Sequence, residues 1–420
     1  MKNLKGAGPM KVMFTLCIGL SAQVTTLLAS QTELELIASP AAAGSSLSRI
    51  VADRKGRLYL SWVSQDGPMA SLNYSRLDKG NWSPPETIGA GEDWFINWAD
   101  FPSLSVNGDN MTAHWLRMSA DGAYDYNVEA SFYNAKDQRW GKAIRIHKDG
   151  INAEHGFVSM LPMNDGRTFI TWLDGRETRG GYQGVDGSNG GQDVPGAMTI
   201  RAGVFSNEGD TISEWVLDGS ACDCCQTSSA MSSTGPLVVY RDRTEHEIRD
   251  IYITRYIDGA WTAPIAIHND DWKIAGCPVN GPSIAASGNQ VAVTWFTAAN
   301  DIPRVKLALS TDNGANFSAP IMVAEQNTNG RVGATILESG IIAVSWMDDA
   351  TANAKLMLSF YSPEGALLEH TEVAQSNASR RSGFPVIDNV GNDVYLTWTD
   401  IEKNAQVKVA RVRYAAADSK

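Results

Sequence analysis

The sequence predicts an all-β protein, a seven-bladed β-propeller closed by its N-terminal strand, with six blades as the alternative if one unit is irregular. Three observations carry this expectation. A short strand ending in an aromatic recurs as "LYLSW" to Trp62, "MTAHW" to Trp115, "TFITW" to Trp172, "PLVVY" to Tyr240, "VAVTW" to Trp295, "IAVSW" to Trp346 and "VYLTW" to Trp398. The intervals are 53, 57, 68, 55, 51 and 52 residues, a length that holds four short antiparallel strands and their turns. Beyond the N-terminal segment almost no stretch has the periodicity of a helix.

The N-terminus comes first. "MKNLKGAGPMK" carries three lysines and no acid, "VMFTLCIGLSA" is apolar, and small residues lead to a cut near Ala29 or Ser30. This reads as a secretory signal over 1–30, followed by one propeller domain over 31–420. Cys17 falls inside the signal, and Leu16 before it is not the small residue that a lipoprotein signal requires. The expected location is the periplasm or the extracellular space. There Cys222, Cys224, Cys225 and Cys277 meet oxidising conditions.

Each unit then follows one grammar. A first strand ends in a Gly or Asn turn ("ADRKG", "SVNGD", "PMNDG"), the aromatic strand follows, and a third strand alternates, as in "RVKLALS" and "DIYITRY". A turn with an aromatic closes the unit ("DKGNWSPP", "DGAWTAP", "NGANFSAP"). "TELELIA" at the start is a lone strand, and the last unit near Val407–Tyr414 lacks its fourth. Pairing the two would close the ring and remove both edges.

The net charge of −12 moves to about −15 without Lys2, Lys5 and Lys11, which disfavours binding to nucleic-acid phosphates. No later segment is apolar enough to span a bilayer, and a monomer is expected.

In "STDNGANF", Ser310, Asp312, Gly314 and Phe317 match the Asp-box pattern, with weaker echoes at Asp258–Trp261 and Asp78–Trp82. Here the chain resembles the BNR/Asp-box, sialidase-like propeller superfamily over most of residues 31–420. The resemblance rests on turns, which serve the fold. It implies an arginine triad gripping a carboxylate, an Arg-Ile-Pro segment in the first blade, and a Tyr/Glu nucleophile pair with an acidic Asp. Arg49, Arg331 and Arg381 fall on contiguous blades, and a planar guanidinium suits a carboxylate. The local sequence is "SRIVAD", without the proline, and spacing assigns no Tyr/Glu pair.

Counting back from each aromatic aligns the segments that precede the first strands, where propellers gather ligands. These positions offer Arg49, then Trp98 with Asp100, His155, the cysteine cluster, Cys277, Arg331, and Arg380 with Arg381. Cys225 lies 15 residues before Tyr240 and Cys277 lies 18 before Trp295, so the two should meet at the channel mouth. The expected site is therefore an arc of Cys222, Cys224, Cys225, Cys277 and His155 beside an arc of arginines.

Thiolates with an imidazole suit copper or zinc. Two disulfides are the alternative, with three connectivities open, and a redox-active thiol pair is a third reading. His246 is a reserve ligand. Asp174, Arg176, Arg241 and Arg243 are expected to contact substrate or the metal ligands, with Arg249 and Asp250 pairing near them. The acids two residues past the aromatics, Asp174, Asp242, Asp348 and Asp400, read first as structural. The long loop from Arg176 to Ala197 is expected on the same face, with Tyr182 or Asp186 closing over a bound ligand; a disordered insertion without function is the alternative. The functional expectation is an exported propeller with a Cys/His metal site that binds or transforms a small anionic molecule or glycan. An exo-sialidase and a disulfide-stapled scaffold are its alternatives.

Overall fold

The computed structural model describes residues 32–178, 196–349, 353–402 and 404–414. The expected signal segment and the loop residues Tyr182 and Asp186 lie outside the described residues.

Seven antiparallel sheets form the seven blades. Their innermost strands are Ser45–Ala52, Ser103–Asn107, His155–Pro162, Ser228–Met231, Ser283–Ser287, Thr328–Ile336 and Val386–Val390. The aromatic of each repeat sits in the second strand, from Trp62 in Leu58–Asp66 to Trp398 in Asp393–Asp400. Blade 7 takes its fourth strand from Thr32–Ile37, which pairs antiparallel with Gln406–Tyr414 from Thr32↔Tyr414 to Ile37↔Val409. The ring therefore closes as the sequence predicts.

The core is not one cluster. Each of the seven boundaries between neighbouring blades has its own apolar cluster, so a strand must be apolar on both faces. "VAVTW" shows this: Val291, Val293 and Trp295 pack toward blade 4, while Ala292 packs toward blade 6. Thr294, fully buried between them, donates its hydroxyl to the Lys306 carbonyl at 2.9 Å. Trp295 is 1% exposed, and its loss would cost about 3–5 kcal/mol as cavity and transfer terms add. The Asp-box turn is built from its own side chains. Ser310 Oγ and Asp312 Oδ1 are 2.7 Å apart, the amide of Gly314 (φ +75°) donates to Ser310 Oγ, and the Asn316 amide donates to Asp312 Oδ1.

Three innermost strands carry a bulge with a positive φ at a residue other than glycine: Leu47 at 53°, Phe157 at 51° and Arg331 at 51°. Such a bulge costs on the order of 1–3 kcal/mol and must be held by its surroundings. Asp100 Oδ1 accepts from the Phe157 amide at 2.8 Å, and Asn280 Oδ1 accepts from the Arg331 amide at 2.8 Å. In both cases the segment entering one blade braces the next. Gly156 allows the first of these, because a Cβ there would meet Asp100 Oδ2 at 1.9 Å.

A channel of about 420 Å³ runs along the axis, lined by all seven innermost strands. Phe101, Gln226, Gly281 and Phe384 line the end where those strands begin. Gln226 ties this rim together, donating to the Ala99 carbonyl and accepting from the Gly281 amide.

Candidate metal centre

The cysteine segment joins blade 3 to blade 4 as a braced turn. The Ala221 amide donates to the Met198 carbonyl, the Cys222 amide to the Arg241 carbonyl, and Thr227 bonds the Phe157 carbonyl through its hydroxyl at 2.7 Å. So held, the turn directs its sulfurs at one another. Cys222 Sγ lies 3.4 Å from Cys225 Sγ and 4.0 Å from Cys224 Sγ. Cys277, from the segment leading into blade 5, reaches this group through a thiol contact with Cys224. The equivalence of position that the repeat implies thus becomes physical proximity.

Arg249 gives the group its polarity. Its Nη1 donates to Cys222 Sγ at 3.2 Å. Burial opposes ionisation of Cys222. The thiol contacts with Cys224 and Cys225 and the positive charges of Arg249 and Arg241 outweigh it and hold this thiol well below its usual range. Contacts with the other thiols push Cys224 up, and burial pushes Cys225 up. Of Cys222, Cys224 and Cys225, only Cys222 is shifted toward its ionised form. A chain of carboxylates and guanidiniums holds Arg249 in place: Asp223 to Arg243 at 3.1 Å, Arg243 to Glu247 at 2.7 Å, and Glu247 to Arg249 at 2.7 Å. The predicted Arg249–Asp250 pair does not form. Asp250 accepts instead from the amides of Asp271 and Trp272.

His155 does not join the thiols. Its ring stacks on His147 at 3.7 Å, and its Nε2 faces Asp149 and Asp174. A donor expected in the cysteine arc therefore belongs to a separate histidine–carboxylate group. Position along the repeat placed it on the right face, but its strand turns the ring away from blade 4. His246 is exposed and stays outside both groups.

The arginines divide by what they already hold. Arg331 Nη1 donates to Ser382 Oγ and the Gly383 carbonyl, and Nη2 to the carbonyls of Ala378 and Ser379. The guanidinium also lies 5.0 Å from the Trp98 ring centroid. Arg241 donates to the carbonyls of Asn280, Arg249 and Phe296, with the Trp272 ring centroid 4.8 Å away. Both are braces between segments rather than open carboxylate clamps. Arg176 makes a two-pronged pair with Asp174, both contacts at 2.7 Å, and so sits in the histidine group rather than beside the thiols. Arg381 is exposed. Arg49 alone of the predicted set lines the channel, where burial pushes its pKa down and Asp388 partly offsets that; its Nε has no hydrogen-bond partner.

A buried carboxyl pair adjoins the thiols. Tyr126 donates its hydroxyl to Asp100 Oδ2 at 2.7 Å and lies 3.0 Å from Glu154 Oε1. Burial pushes Asp100 up to about 7 against the bonds from Tyr126 and Phe157, and burial with the nearby Asp100 charge pushes Glu154 well up. Tyr126 is fully buried, so its hydroxyl is shut off from any substrate in the channel. Sequence reasoning missed His147, Asp149, Tyr126 and Glu154. "IHKDGINAEH" carries His147, Asp149 and Glu154 in plain view, but nothing in the repeat marks them.

No family model matches the chain, and no curated protein matches it in sequence. Solved structures do share its shape. The polysaccharide lyase Uly1 superposes with a TM-score of 0.51 at 9% identity, over 87% of this chain and 89% of that one. A mutant NanB sialidase from Streptococcus pneumoniae gives 0.47 at 10% identity, over 92% and 95%. The α-L-arabinofuranosidase Arb93A from Fusarium graminearum gives 0.49 at 10% identity, over 90% and 96%. At this identity the likeness concerns the fold, and chemistry must be read from this chain's own side chains.

Proposed function

We propose that this chain is an exported propeller that binds a soft metal ion, Cu(I) or Zn(II), through Cys222, Cys224, Cys225 and Cys277 at the end of the channel where the innermost strands begin. The observation that supports this most is the spacing of the sulfurs. Thiolates around a zinc ion at about 2.3 Å stand about 3.8 Å apart in a tetrahedron. The separations of 3.4 and 4.0 Å bracket that value. A ligand must also shed its proton, and Arg249 favours that at Cys222. With His155 turned to another group, the donor set is sulfur alone, which favours soft ions. Arg49 lines the channel and is the retained part of the expected arginine arc, and a small anion is the ligand that a guanidinium there fits.

The test is native mass spectrometry of the protein exported by its own N-terminal segment and purified without chelators. A copper or zinc adduct on the wild type that disappears in C277S supports the proposal. A metal-free mass lacking four hydrogens relative to the reduced chain would mean two disulfides, and would overturn it in favour of a stapled scaffold.

A further inference from the structure

The histidine group that captures His155 is itself unassigned. His155 Nδ1 lies 3.1 Å from the Ala153 carbonyl and 3.3 Å from the Tyr126 carbonyl. Both atoms only accept, so Nδ1 carries a proton, and in the neutral ring Nε2 is a bare lone pair. That nitrogen is fully buried and has no hydrogen-bond partner. It faces Asp149 Oδ2 at 3.3 Å, off the hydrogen-bonding direction, and Asp174 Oδ1 at 3.6 Å. His147, 1% exposed, places its Nδ1 2.7 Å from the same Asp149 oxygen, and its Nε2 is also unpartnered.

Charge sharpens the picture. Asp149, Asp174, Glu177 and Glu214 interlock with Arg176 and Arg201 through contacts between 2.7 and 3.9 Å. Four carboxylates against two guanidiniums leave an excess of two negative charges when both imidazoles are neutral. A divalent cation cancels it.

We infer that His147, Asp149 and His155 form a second metal site, selective for a divalent ion of the zinc class and independent of the thiols. One ligand atom from each lies within 4.8 Å of the others. Two imidazoles and a carboxylate suit zinc and its neighbours rather than the soft ions that thiolates prefer. The surrounding bonds are those that orient metal ligands. His155 Nδ1–H is held by backbone carbonyls, and Asp149 Oδ1 accepts the Ile151 amide at 2.8 Å, leaving Oδ2 to face the rings. His147 Nδ1 and His155 Nε2 both face Asp149 Oδ2, so an ion bound there takes the place of the proton that His147 Nδ1 shares with that carboxylate. The exposed loop over 148–152, turned at Gly150 (φ +72°), is the way in.

Cobalt(II) is the probe, added to the full metal-free protein under reducing conditions. Its thiolate complexes show sulfur-to-metal charge-transfer absorption, whereas nitrogen and oxygen ligands leave only the weaker visible bands, so the two sites report separately. The expected result is a visible band without charge transfer for one equivalent of cobalt, weakened at least about tenfold in affinity in D149N. D149N keeps the acceptor for Ile151, and its unchanged thiolate absorption and thermal midpoint would show an intact fold. If the thiols bind nothing while this band persists, the soft-metal reading fails and this one stands. No band beyond the thiolate one, equal affinity in D149N, or a doubly protonated His155 in nitrogen-15 histidine NMR with cobalt's diamagnetic counterpart zinc present would each overturn the inference.

Discussion

Arg249 Nη1 donates to Cys222 Sγ at 3.2 Å, and its positive charge adds to the thiol contacts from Cys224 and Cys225 in lowering the pKa of Cys222. Without a positive neighbour, a buried thiol keeps its proton. Removing the guanidinium in R249M is therefore expected to lower the affinity of the thiol cluster for zinc by about 10–100-fold at neutral pH. The loss should shrink as pH rises, because the thiols then ionise unaided. Competition titration against a chromophoric chelator at several pH values checks this, and a pH-independent deficit would mean that Arg249 acts only through packing.

Asp100 gives the fold a pH dependence. Its pKa is raised from 3.8 to about 7, chiefly by burial, so the folded state prefers the neutral acid. The associated stability is complete below about pH 3.8 and declines as the pH rises toward 7. The decline attributable to this residue is at most on the order of 4 kcal/mol. D100N keeps an acceptor for the Phe157 amide but cannot ionise. Urea unfolding between pH 4.5 and 7.5 should show a flatter profile for D100N than for the wild type.

Arg331 and Arg381 are near neighbours in the repeat but opposite in consequence. R331M removes the guanidinium that donates to Ser382 Oγ and to the carbonyls of Ala378, Ser379 and Gly383, and should destabilise the protein by about 3 kcal/mol. R381A removes an exposed side chain and should stay within about 0.5 kcal/mol of wild type. Denaturant midpoints of both variants test the pair.

Deleting Thr32–Ile37 would open the ring at blade 7 and bare the edge of Gln406–Tyr414. An exposed edge pairs with other chains. The expected outcome is a lower thermal midpoint together with concentration-dependent association in sizing chromatography. The intact chain should show neither.

The aromatic repeat, the turn grammar and the orphan strand "TELELIA" determined the all-β ring, its seven blades and its closure without help from coordinates. Strand alternation and turns are local, and a period of about 55 residues copies them faithfully. The repeat also placed Cys277 level with the Cys222–Cys225 segment, and the contact with Cys224 follows from that. Only the tertiary structure decided what each mouth residue holds. Level position specifies the face of a propeller, not the direction of a side chain. That direction is set by bulges such as those at Phe157 and Arg331, and by partners on other blades. Hence Arg331 turns to the carbonyls of 378–383, and His155 turns to Asp149 instead of the cysteines. A hydrogen bond is fixed to tenths of an ångström by groups dozens of residues away, and no spacing along the chain encodes that.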